Sequence, residues 1–146
     1  MHPRVEIRNR IKELLIEADT IAEGRVFKNR KHDVLDDECP CILVFDNVEK
    51  ADPDRPDEEA RRARFRRVSL NLDLWISAVA SEADPDDRLD AFCEAVEAVM
   101  DANEYLAIDS SRKPTHHEYQ ATLKHRGEGS KSLLAAQINY LVTYLG

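Results

Sequence analysis

Between Arg67 and Val79 the chain reads RVSLNLDLWISAV, with apolar residues on every second position: Val68, Leu70, Leu72, Leu74, Ile76 and Ala78. Ser69, Asn71, Asp73 and Ser77 stand between them. A strand turns successive side chains to opposite faces, so this pattern predicts a long strand with one apolar and one largely polar face. On a helix the same residues would point all round the cylinder. Each large apolar side chain is worth about 1.5–3 kcal/mol on burial, so this strand supplies a large share of a small core. The rest of the chain must cover that face.

The other segments divide cleanly by period. From Pro3 to about Asp19, Ile7, Ile11, Leu14, Leu15 and Ala18 share one helical face, and Arg8, Asn9, Lys12, Glu13 and Glu17 line the other. Pro3 suits a first turn, and the helix is expected to fray near Thr20–Glu23 and to stop by Gly24. Arg25–Lys31 offers a short strand built on Val26 and Phe27, followed by an acidic connection, Asp33–Glu38. Cys41–Val48 (CILVFDNV) is a strand led by Pro40, which tolerates its missing donor at a strand's start. Asp84-Pro85-Asp86-Asp87 caps a second helix with an apolar stripe of Leu89, Phe92, Cys93, Val96, Val99 and Met100. Its acids lack the glycine and the spacing of a calcium loop.

After a polar connection, Ala107–Thr115, the segment His117–His125 alternates, with Tyr119, Ala121 and Leu123 expected on one face. Arg126-Gly-Glu-Gly-Ser130 turns the chain into a last strand, Leu133–Leu145, with Leu134, Ala136, Ile138, Tyr140, Val142 and Tyr144 on one face. The predicted fold is α+β, a mostly antiparallel or mixed sheet with two α-helices packed on one face, and residues 1–146 form one domain.

Composition narrows the function. No apolar run reaches the ~18–20 residues of a membrane span, and the N-terminus lacks a signal peptide's apolar stretch. A net charge of −8 argues against gripping nucleic acid across the whole surface. Cys39, Cys41 and Cys93 make an odd count without a disulfide pattern, which fits a reduced compartment. Cys39-Pro40-Cys41 lacks the further ligands that a zinc site needs, so no metal and no cofactor is expected. With four glycines and no phosphate-binding, nucleophile-elbow or zinc-protease motif, the chain shows no active site. Glu49-Lys50 and His116-His117-Glu118 are the nearest approaches to catalytic sets. Adjacent residues of a strand point to opposite faces, which weakens the first pair. An enzyme is therefore not expected, and a small metal-dependent hydrolase or nuclease is the remote alternative.

The segment KADPDRPDEEARRARFRR is the unusual one, with acids first and then Arg61, Arg62, Arg64, Arg66 and Arg67. A connection this long is either a solvated, charge-balanced loop or a docking loop that orders against a partner. On the second reading Asp57, Glu58 and Glu59 of one copy would face the arginines of another.

Taken together, four pieces resemble the phage tail terminator family, the lambda-type minor tail protein U and its relatives. They are the amphipathic N-terminal helix, the strand PCILVFDNVE, the long strand RRVSLNLDLWISAV with the capped helix DPDDRLDAFCEAVEAVM, and the terminal strand AAQINYLVTYL. The resemblance spans nearly the whole chain. It implies a non-enzymatic virion assembly protein that forms a ring, usually hexameric, on the head-proximal end of the tail. That ring stops polymerisation of the major tail tube protein and presents a joining surface to the head-completion or connector protein. The implied partners are copies of the chain itself and those two proteins, without specific nucleic-acid binding and without a membrane. The implied place is the virion tail, assembled in the bacterial host cytoplasm. A neck or head-closure protein of the same particle is the alternative.

Overall fold

A computed structural model describes residues 2–28, 34–51, 65–77, 84–108, 115–126 and 133–145. Its elements are α1 (Pro3–Glu17), β1 (Val26–Lys28), a 3-10 turn (Asp36–Glu38), β2 (Cys41–Ala51), β3 (Phe65–Ser77), α2 (Pro85–Ala102), β4 (Tyr105–Leu106), β5 (Thr115–Arg126) and β6 (Leu133–Leu145). The strands form one sheet in the order β1-β2-β3-β6-β5-β4. All neighbours are antiparallel except β1 and β2, which run parallel. The α+β class and the mixed sheet are as the sequence predicts.

β3 sits at the middle and pairs along its whole length with β6, from Phe65 with Leu145 to Ser77 with Leu133. One face of this pair is the core. Val68, Leu70, Leu72, Leu74 and Ile76 meet Ala136, Ile138, Tyr140, Val142 and Tyr144 in a single buried cluster. The helices close that face, with Ile7, Ile11, Leu14 and Leu15 from α1 and Leu89, Phe92, Cys93, Val96 and Met100 from α2 in the same cluster. α1 lies over β1 and β2, and α2 over β3 and β6.

Helix ends follow local chemistry. Asp84 Oδ1 accepts a hydrogen bond from the Asp86 amide at 2.9 Å, with Pro85 in the first turn. His2 caps α1 by accepting from the Arg4 amide at 3.1 Å. α1 has stopped before Gly24, as the sequence predicts. The helix stops at Ala18, whose extended backbone (ψ 145°) leads into a turn, and Glu23 takes a left-handed φ of 55° there.

Two irregularities decide which side chains share a face. Between Asp46 and Glu49 the register with β3 slips, because β2 spends one residue more than its partner. A second slip lies between Tyr119 and Ala121 on β5. Tyr119 therefore stands opposite core Tyr140, whereas Ala121 and Leu123 stand opposite Asn139 and Gln137 on the helix-free face. The expected single row of Tyr119, Ala121 and Leu123 is thus corrected: an extra residue resets the alternation. β4 is a second departure, since the segment before residue 107 gains a short strand on β5.

Candidate assembly surface

The bulge in β2 places Asp46 and Glu49 on the helix-covered side, in register with Leu70 and Val68. Arg4 and Arg8 stand one turn apart on α1, so both face the sheet there. Arg8 pairs with Asp46, each side chain being mostly buried. Glu49 gathers three partners. Arg66 Nη1 donates to it at 3.2 Å, Arg4 Nε lies 3.8 Å away, and the Tyr144 hydroxyl donates to its second oxygen. Burial first, and the adjacent Glu49 carboxylate second, push the Tyr144 hydroxyl up to about 12. Each carboxylate faces arginine and each hydroxyl stays protonated, so this layer stitches α1 to the sheet and holds no free base or nucleophile.

Strand geometry separates the arginines that the sequence clusters. Arg66 is in register with Tyr144 and joins the Glu49 layer, whereas Arg67 is in register with Lys50 and Thr143 on the opposite face. Arg61, Arg62, Arg64, Asp57, Glu58 and Glu59 lie outside the described residues. The Glu49–Lys50 pair divides in the same way: Glu49 turns toward α1, and Lys50 to the helix-free side.

The histidine cluster also comes apart. His117 is buried, its Nε2 lies 2.8 Å from the Asn103 carbonyl oxygen, and its ring meets Tyr140 edge-on at 5.4 Å. It ties β5 to the end of α2. His116 Nε2 lies 3.7 Å from Glu118 Oε1 at the surface. Among the described residues no group of three His, Cys, Asp or Glu side chains converges as metal ligands would. Cys93 is a buried thiol, and burial with the nearby Glu97 and Asp90 pushes it up to about 11.

The helix-free face of the sheet is not a plain solvated surface. Asn71 and Asp73 are only 3% and 9% exposed, although they belong to the largely polar face that the alternation of β3 predicts. Phe45 and Asn139 flank Asn71 in register, and Leu43 and Gln137 flank Asp73. Burial raises the Asp73 carboxyl above the usual range, against the opposing effects of the Gln137 hydrogen bond and of His125. The exposed large apolar side chains include Val48 on β2, Tyr105 on β4, and Tyr119 and Leu123 on β5.

Comparison with known proteins bears on this fold. No protein-family model matches the chain, and a search of curated proteins returns no match. A solved structure, "Virion of native gene transfer agent (GTA) particle", contains a chain of similar fold, with a TM-score of 0.62 and 12% identity over 100% of both chains. The chain shares its overall architecture with that chain. Identity this low carries the architecture and leaves side chains to be argued one by one.

Charge runs stand out in the sequence, and the structure draws its charged layer from elsewhere. The Glu49 layer draws on Arg4, Arg8, Asp46, Arg66 and Tyr144, which are scattered over the whole chain. Its one local signal was Asp46 and Glu49 inside an otherwise apolar strand.

Proposed function

We propose that this protein is a structural, non-enzymatic component of a phage-like particle, and specifically a ring-forming tail terminator. The observation that carries the reading is the end-to-end fold likeness to a chain of a virion particle, complete in both directions. The resemblance of the individual strands and helices to tail terminators supports the finer assignment. In this role copies of the chain form a ring held by a heterologous contact, one surface of each copy meeting a different surface of the next. The ring caps the head-proximal end of the tube, halts addition of the tube protein and receives the head-completion protein.

The arginine-rich stretch fits that contact. Arg61, Arg62 and Arg64 follow the acids Asp57, Glu58 and Glu59, and guanidinium–carboxylate pairs fix geometry as well as attract. A net charge of −8 per copy suits a passage that does not grip DNA. Reversing Arg62 and Arg64 to Glu is expected to leave the monomer folded and to lower ring formation in a salt-dependent way. Unchanged sedimentation and normal tail lengths would remove these arginines from the contact.

The role itself is tested by electron microscopy of particles made without the gene. Overlong tube polymers are the expected result. Tails of normal length that fail to join heads would instead make the protein a head-closure factor.

A further inference from the structure

The sheet ends in two long strand edges that its own short strands cover only in part. On one side, β1 pairs with Ile42–Val44 of β2 and no further. Among the described residues, β2 from Phe45 to Ala51 has a strand neighbour on the β3 side alone. On the other side, β4 pairs with Thr115 and His116 and no further, so among the described residues β5 from His117 to Arg126 has a strand neighbour on the β6 side alone. Such edges are templates for pairing with another chain, and charge or proline usually blunts them. These edges carry charges such as Lys50 and Lys124, but also exposed apolar side chains: Val48 on β2 is 43% exposed, and Tyr119 and Leu123 on β5 are 51% and 58% exposed.

We infer that the free edge of β5 in one copy pairs with the free edge of β2 in the next, joining the sheets of neighbouring copies into one continuous sheet. The inference rests on the ring reading above and names the contact that closes the ring. Strand direction carries it. β2, β3, β6 and β5 alternate in direction, so β5 runs opposite to β2. Rotation about a ring axis leaves each copy's orientation to that axis unchanged. Hence β5 of one copy meets β2 of the next antiparallel, as an antiparallel hydrogen-bond ladder requires.

The positions of the short strands fit the same arrangement. His117 is level with Val142, Val68 and Glu49, and His125 with Ala135, Trp75 and Cys41. The free part of β5 thus reaches toward the start of β2, while the free part of β2 lies toward its end. Matching the two needs a slide of about three residues, ~10 Å at the rise of a strand. That slide tilts the strands against the ring axis, as closed sheets do. It also carries β1 and β4 past the two ends of the shared ladder, where neither blocks it. Val48 then comes close to level with Leu123 on β5 of the neighbouring copy.

The test is hydrogen exchange by mass spectrometry on the full chain, with the oligomer distribution followed by native mass spectrometry, alone and with tube ends. Assembly is expected to protect backbone amides in 45–51 and 117–126 together. Leu123→Arg and Val48→Arg, both at exposed positions, should each melt as the parent does. Each should raise the concentration for half assembly about tenfold, as loss of an interface anchor does. Rings with both edges still exchanging freely would overturn the edge pairing and leave the ring reading standing. Protection of 117–126 without 45–51 would also overturn it, in favour of a two-fold pairing of β5 with itself. A chain that stays monomeric in both settings would overturn the ring reading and the edge pairing together.

Discussion

The two faces of β3 obey the same alternation and have opposite characters. On the helix-covered face Val68, Leu70, Leu72, Leu74 and Ile76 are essentially without solvent exposure and pack into one apolar cluster. On the other face Asn71 and Asp73 are nearly as buried, with Trp75 on the same row. There Asn71 Nδ2, Asp73 Oδ1 and Trp75 Nε1 are buried without a hydrogen-bond partner among the described residues. One face is stabilised by exclusion of water from carbon. The other bears a desolvation cost at its polar atoms. Burial and apolarity are therefore separate properties of this strand.

The largest test of that contrast is Leu72→Asp. It places a carboxylate among side chains that offer it no partner, at a cost of several kcal/mol in a domain whose total stability is about 5–15 kcal/mol. The expected outcome is loss of the cooperative thermal transition in circular dichroism. A folded variant would mean that the covered face is wetter than its packing indicates.

Asn71→Asp probes the other face. A water-facing row would accept the change, but Asn71 is buried two residues from Asp73 on the same side. The added charge is expected to cost about 1–3 kcal/mol, read from chemical denaturation. An unchanged midpoint would restore the solvated reading of this face.

The wet end of the covered face gives a smaller effect. Tyr144→Phe removes the hydroxyl that donates to Glu49 and leaves the ring in place. Arg66 still neutralises the carboxylate, so the loss should be about 1 kcal/mol, measured in the same denaturation. A loss several times larger would show that the Glu49 layer behaves as one cooperative network.

The smallest effect is a pH dependence. A carboxyl whose pKa is raised in the fold binds its proton more readily folded than unfolded. Asp73 therefore costs stability at neutral pH, and that cost appears as pH rises from the ordinary carboxylate range, about 4, through the raised value. Asp73→Asn keeps the shape and removes the titration. Its melting temperature at neutral pH should equal or exceed the parent's, with a flatter profile on the acid side. A lower melting temperature at every pH would point to a specific partner for the carboxylate.

What the sequence determined by itself was whatever a local period can encode. The two-sided patterns of β3 and β6, the apolar stripes of α1 and α2, and the Asp84-Pro85 helix start were all legible, because each depends on residues a few positions apart. Tertiary structure decided what depends on a distant partner. The alternation of His117–His125 was visible, but a single extra residue beside Tyr119 reversed which side chains share a face, and only pairing with β6 reveals it. Arg66 and Arg67 read as one basic run until β3 turned them apart and Glu49, seventeen residues earlier, took the first. Asn71 and Asp73 read only as members of a polar row because polarity was the one local clue, whereas burial is set by the neighbours a sheet brings alongside. Period is a property of the chain, and accessibility is a property of the packed assembly of its strands.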